Sequence, residues 1–360
     1  MVRLILPRIL LAPMAGGPST PELVAGASEA GAFGFLAGAY LSPSQLRQSI
    51  QKIRESTNKP FGVNLFLVPT DLNLSQRSLD SARQALEPWR RTFELEDPGL
   101  ARPYHPDFDD QFQVILDEKP DVASFTFGAP SREVIKACQD KGIRTMGMVT
   151  CGPEAKLLEE RGVDGIIAQG NASGGHRAMF GVDDPDPEIE VLDLVKELHA
   201  VTVPIVAAGG IMDGHGVRKA IRAGASSAML GTAFLLCPEA GTSDPYRKAI
   251  RDSISRSHKP SRVGAEAESS RSMGTRKTRA FSGRLARGLP NQFQLDLERS
   301  DAVILPYPAQ NAYTKDVKSA SSAKGSSEAI SLWAGKGFDK IREMDAASLV
   351  RTLYREMDNE

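Results

Sequence analysis

The sequence predicts an α/β chain folded as a (β/α)8 TIM barrel, with an insertion after strand three and a C-terminal helical extension. Three observations predict it. Eight short apolar runs precede residue 235 of the 360. Helix-start signals separate those runs. Glycine turns follow the seventh and eighth runs, where barrels of this class place their phosphate site.

The runs cover residues 9–14, 33–38, 61–66, 122–127, 145–150, 165–169, 204–208 and 227–234. Most are apolar on successive residues rather than on alternate ones. That pattern suits strands buried on both faces, as in a parallel sheet. After the first run, Ser19-Thr20-Pro21-Glu22 supplies caps and an early proline for a helix. Ser42-Pro43-Ser44, Ser131, Pro153-Glu154, Pro187-Glu188 and Asp213-Gly214 open the helices that follow. Gly162 and Gly224 close two of them. Strands alternating with helices imply a closed parallel barrel. An open doubly wound sheet would need a G-x-G-x-x-G turn after the first strand. Met14-Ala15-Gly16-Gly17-Pro18 does not match it.

The expected organisation is therefore barrel over 1–66, insertion over 67–116, barrel again over 117–238, and an extension covering the active site over 239–360. The basic, Ser-rich stretch 256–287 lacks interleaved aromatics and reads as a solvated loop folded over the barrel.

Bulk properties exclude several classes. Lys+Arg 44 against Asp+Glu 45 leaves a net charge of −1, so no nucleic-acid or membrane partner is implied. No apolar run approaches the ~20 residues of a membrane span, and the N-terminus lacks signal-peptide architecture. Three widely spaced cysteines, Cys138, Cys151 and Cys237, fit reduced thiols in a cytoplasmic protein rather than disulfides or a metal site.

The strand ends carry the candidate chemistry. Gly209-Gly210 and Gly231-Thr232 let main-chain N–H groups approach a phosphate, with Leu230 and Met229 just before the second turn. The sixth strand ends in Gln169-Gly170, followed by Asn171-Ala172-Ser173-Gly174-Gly175-His176-Arg177. Gln169 can offer a donor and an acceptor to a heterocycle. Gly174 and Gly175 let the backbone pass close to a planar ligand, with His176 held over it as a catalytic group. Ala12-Pro13-Met14 forms a small-residue corner fit to face a ring, and Asn64 can bond the ring or its side chain. His105, His199, His215 and His258 have no such context.

These segments resemble a known family. Ala12-Pro13-Met14-Ala15-Gly16-Gly17, Asn64-Leu65-Phe66, Ser124-Phe125-Thr126-Phe127-Gly128 and Gly174-Gly175-His176-Arg177 are similar to successive motifs of the class I nitronate monooxygenases, formerly 2-nitropropane dioxygenases. Thr278-Arg279-Ala280-Phe281-Ser282-Gly283-Arg284, Pro306-Tyr307-Pro308 and Leu332-Trp333-Ala334-Gly335 extend the likeness through the tail. The resemblance implies a non-covalent FMN. It implies oxidation of alkyl nitronates, such as propionate 3-nitronate, by O2 to oxo compounds plus nitrite or nitrate, with one-electron reduction of the flavin. It implies a catalytic role for His176 and substrate contacts for Tyr307 and Lys315, with Tyr104 and Tyr246 as further candidates. Partners beyond the nitronate and O2 are not implied, and the chain is expected as a monomer or homodimer. The chain departs from the family pattern at Ala172, Ala178 and Met229. Two other functions fit the same barrel. One is an NAD(P)H-dependent FMN quinone or enoyl reductase; the other is a phosphate-binding barrel without flavin.

Overall fold

The computed structural model describes residues 5–68, 72–257 and 274–359. Eight parallel strands close into a barrel. They are β1 (Ile9–Leu11), β2 (Phe33–Ala37), β3 (Phe61–Phe66), β4 (Val122–Thr126), β5 (Arg144–Val149), β6 (Gly165–Gln169), β8 (Ile205–Ala208) and β9 (Ser227–Leu230). The strand numbered between them, β7 (Gly175–His176), lies outside the barrel. Each apolar run of the sequence overlaps one barrel strand, the fifth strand starting one residue before its run.

Side chains alternate in and out along each strand. Leu10, Phe35, Met146, Met148, Ile167, Val206 and Met229 fill the barrel interior as one cluster. Leu11, Val63, Phe125, Ile166, Ala207 and Leu230 belong to the larger cluster shared with the helices. Both faces are thus apolar, and the runs read as continuous rather than alternating.

The helices follow from their caps. Thr20 accepts from Leu23 N–H at 3.0 Å and starts α1 (Pro21–Glu29). Ser42 and Gln45 form a reciprocal capping box at the start of α2 (Pro43–Ser56). Next come α3 (Gln76–Phe93) and α4 (Phe108–Glu118). Phe112, Val114 and Ile115 of α4 pack into the main core, so α4 is the barrel helix that follows β3. Only the part before Phe108 stands outside the repeat, against the expected insertion to residue 116.

The helices α5 (Arg132–Asp140), α6 (Gly152–Arg161), α7 (Val191–Glu197) and α8 (Gly214–Arg222) continue the pattern. Among the described residues, no helix directly after β9 docks in the eighth place. The chain runs through α9 (Asp244–Ser257), α10 (Gln292–Arg299), α11 (Ala309–Tyr313) and α12 (Lys315–Ala323), and ends in α13 (Ala346–Asp358). That last helix packs against α8 and α1 and closes the ring of helices. The extension expected over 239–360 therefore has two jobs: its middle covers the mouth, and its end completes the barrel.

Two further strands, β10 (Arg276–Thr278) and β11 (Ala286–Gly288), form an antiparallel sheet with β7. Half of the basic stretch 256–287, residues 258–273 with His258, lies outside the described residues. Among the described residues no helix is long and apolar enough to cross a membrane.

Candidate active site

A cavity of about 870 Å³ opens at the C-terminal ends of the barrel strands. Its floor is the turn after β1, with Ala12, Pro13 and Met14. One wall carries Gly209 and Gly210, and beside it stand Met229, Gly231 and Thr232. The main-chain N–H groups of Gly209, Gly210, Gly231 and Thr232 donate to no other described residue. They form a cradle of free donors, the arrangement that binds a phosphate. Thr232 Oγ accepts from Gly335 N–H at 3.0 Å, which leaves its own proton free to donate.

The loop after β6 is fixed by buried polar contacts. Arg177, fully buried, pairs with Asp186 at 3.1 Å and donates to Gln169 Oε1 at 2.7 Å and Gly170 O at 2.9 Å. Lys277 reaches the same Asp186 at 2.9 Å. Gln169 Oε1 also accepts from Ala178 N–H at 3.0 Å, and Gln169 Nε2 donates to His176 O at 2.9 Å. Gln169 lines the cavity, but its acceptor and one donor proton are spent on holding this loop. Ala286 pairs with His176 in the β7–β11 ladder, so the extension grips the same loop from the other side.

His176 is half-buried and lines the cavity. Its ring lies 5.5 Å from Trp333, 5.8 Å from Phe127 and 5.8 Å from Tyr307. Nε2 sits 2.8 Å from Ser282 Oγ. Nδ1 bonds to no described residue and is the nitrogen left for a ligand. Ser282 can also donate to Arg284 O at 3.2 Å, so its hydroxyl accommodates either tautomer of the imidazole. Burial, then the charges of Arg284 and Lys318, pushes His176 down to about 3. The imidazole is neutral at physiological pH. Arg284 is buried over the Phe127 ring at 3.9 Å and, among the described residues, forms no ion pair. Burial pushes its guanidinium down to about 10.

The remaining expected residues fall in three groups. Tyr104, Lys315 and Tyr246 line the cavity. Lys315 is exposed at its rim. The Tyr246 hydroxyl already donates to Trp333 O, and burial raises its pKa. Tyr307 is fully buried and does not line the cavity; its hydroxyl donates to Tyr40 at 3.4 Å and its ring backs His176. Tyr307, expected to contact substrate, thus stands behind His176 rather than at the cavity surface. Leu230 does not line the cavity: its side chain turns into the helix layer and its carbonyl accepts from Ala12 N–H at 2.9 Å, so the expected cofactor contact is not formed there. Asn64 is buried in the barrel, where its amide donates to Ser124 Oγ at 3.0 Å and Thr126 Oγ1 at 3.1 Å. Its Oδ1 accepts no bond from a described residue.

The sequence reading set His105 aside, yet it lines the cavity from the insertion. Its Nδ1 donates to Pro106 O at 2.8 Å, and its Nε2 is buried without a partner. Burial lowers its pKa, so it too is neutral. Tyr40, Asn311 and Lys318 are further lining residues that the motifs did not single out.

The tail closes on this site through a close main-chain approach. A Cβ on Gly174 would lie 2.5 Å from Gly335 N and 2.6 Å from Ala334 C. Neither backbone atom can move without shifting Trp333. Gly174→Ala is expected to destabilise the protein by about 1–3 kcal/mol, with a matching fall in Tm. A thermal melt unchanged from the parent would show that the tail is not seated on this loop.

These features define a (β/α)8 barrel enzyme with a cradle of unpartnered main-chain amides and a neutral histidine at one mouth. A family model described as nitronate monooxygenase matches residues 2–356. A nitronate monooxygenase from Pseudomonas aeruginosa is 37% identical, over 97% of this chain and 95% of that one. A probable nitronate monooxygenase from Staphylococcus saprophyticus is 33% identical, over 97% and 94%. Among solved structures, a nitroalkane oxidase from Streptomyces ansochromogenes superposes with a TM-score of 0.86 at 34% identity, covering 98% of this chain and 96% of that one. FabK from Thermotoga maritima gives 0.69 at 26% identity, over 98% and 93%. The chain belongs to the nitronate monooxygenase family and is an oxidoreductase.

Proposed function

We propose that the cavity holds FMN and that the enzyme uses O2 to oxidise alkyl nitronates of the propionate 3-nitronate type, releasing an oxo compound and nitrite or nitrate. The observation that carries this reading is the neutral His176, held by Ser282 at 2.8 Å, in one cavity with a cradle of unpartnered main-chain donors.

The residues fit the cofactor. Gly209, Gly210, Gly231 and Thr232 would hold the phosphate. Ala12, Pro13, Met14, Gly174, Gly175 and Met229 would face the ring system, while Asn64 and Leu230 lie outside the cavity lining. Bound FMN supplies the electron acceptor and the centre that reacts with oxygen.

The chain's own groups then bind and orient an anion. With the Ser282 hydroxyl donating to Nε2, His176 presents Nδ1–H to a nitronate oxygen. Arg284, which forms no ion pair among the described residues, adds positive charge near the imidazole. An imidazole held at about 3 is a weak base, so it is poorly suited to take a carbon-bound proton from a neutral nitroalkane. The site therefore favours preformed nitronate. Phe127, Trp333 and Tyr307 pack rings around the imidazole and fix its orientation toward the cavity.

The likeness to FabK favours a second reading, flavin reduction by NAD(P)H. Oxygen uptake separates the two. The proposal expects uptake and nitrite release with propionate 3-nitronate alone. Uptake that requires NADH and ignores the nitronate would reverse the ranking.

A further inference from the structure

Two lysines of α12 line the cavity, three residues apart. They differ in setting. Lys315 opens the helix and is exposed, while Lys318 is half-buried. Thr314, Val317 and Ser321 are fully buried and mark the inward stripe of this helix, and Lys318 falls within it.

The ammonium of Lys318 has unusual company. It donates to Asn311 Oδ1 at 2.9 Å and to Asn311 O at 3.3 Å. Among the described residues it forms no ion pair. Asp316, the acidic residue of the same helix, is taken by Arg90 of the insertion at 2.8 Å. Burial without a counter-charge pushes Lys318 down to about 7, opposed by Asp316 and helped by Lys315. An ammonium has three protons, and Asn311 accepts two. One donor and one unbalanced charge therefore remain for whatever enters the cavity. His176 needs only the nitronate end of an anion, and it leaves Lys318 unexplained.

We propose that Lys318, buttressed by Asn311, is a specificity-determining residue that binds a second anionic group of the substrate, a carboxylate remote from the nitronate carbon. The inference rests on the nitronate reading of the site. A carboxylate placed there supplies the counter-charge that Asp316 does not, and it restores the ammonium to its charged form. Lys315 at the rim adds attraction but is screened by solvent.

The test uses the FMN-loaded enzyme and two nitronates, propionate 3-nitronate and propyl 1-nitronate, which lacks the carboxylate. The readout is the ratio of their kcat/KM values. The parent enzyme is expected to prefer the carboxylated substrate by roughly tenfold or more. Lys318→Met is expected to collapse that preference towards unity, mainly through KM, while Lys318→Arg retains it. A ratio unchanged by Lys318→Met overturns the proposal. So does a parallel loss on both substrates, because the lysine would then not be reading the tail. Should the methionine variant fail to fold, inhibition of the parent decides: butyrate must compete with propionate 3-nitronate and butanol must not. Equal inhibition by the two overturns the proposal. Parent enzyme that turns over neither nitronate overturns the nitronate reading itself, a different result from turnover of both without preference.

Discussion

Exchanging His176 for phenylalanine is expected to lower kcat/KM for propionate 3-nitronate by roughly 10- to 100-fold, the worth of a hydrogen bond to a charged group. The flavin should stay bound. Phenylalanine preserves the ring contacts with Trp333, Phe127 and Tyr307 and removes both nitrogens. Ser282 keeps its bonds to Arg284, so the loop should hold. Steady-state kinetics beside a visible spectrum separate loss of catalysis from loss of cofactor. Unchanged kcat/KM would remove His176 from the mechanism.

The same variant has a stability signature. In the unfolded chain His176 takes up a proton below about 6.5. In the folded protein it does so only at about 3. The unfolded state therefore binds more protons between these values, and this residue's contribution to stability falls as pH falls through that window. Tm should decline less steeply from pH 6.5 to 4 in His176→Phe than in the parent. Parallel pH–Tm curves would mean that His176 is not held neutral.

The second large effect is expected at Gly209. Its φ is +112°, a conformation that side chains rarely adopt. A Cβ there would lie 2.2 Å from Ser173 Oγ, 3.0 Å from Gly170 O and 3.1 Å from Ser173 N. Ser173 can rotate its hydroxyl, but the two backbone atoms belong to the loop that carries His176. Relief must come from moving the turn, and with it the free N–H groups of the cradle. Gly209→Ala is expected to weaken FMN binding about 100-fold, from backbone strain together with the displaced donors. Fluorescence of released flavin measures this directly. An unchanged Kd would show that the turn does not hold the phosphate.

Much of the barrel was legible because its strands are apolar on both faces and its helices carry caps such as Thr20 and Ser42. The pattern of α13 marks a helix, but nothing local says that it docks between α8 and α1, some hundred residues after β9. In the same way, α4 looked like insertion because a long polar stretch precedes it. The glycine turns were legible for a physical reason: Gly209 and Gly210 have positive φ, and strand ends that need such geometry show it as glycine.

Side-chain commitments were not legible. Gln169 has the chemistry to bond a heterocycle, yet Arg177, Ala178 and His176 claim its amide. Tyr307 has a suitable phenol, yet it stands behind His176 rather than in the cavity. His105 was passed over because its place depends on how the insertion docks, which no short motif encodes. The setting of Lys318 was not legible either. It shows only in the fold, because Thr314 and Ser321 of the buried stripe that favours it over Lys315 are polar and give no apolar periodicity.

The central claim is that this cavity binds FMN and passes electrons to it from a nitronate. The direct measurement is the visible spectrum of the purified protein before and after anaerobic addition of propionate 3-nitronate. The account predicts a yellow protein whose flavin absorption bleaches on addition and returns when air is admitted. A protein that stays colourless after FMN is supplied, or a flavin spectrum that the nitronate leaves untouched, would contradict it.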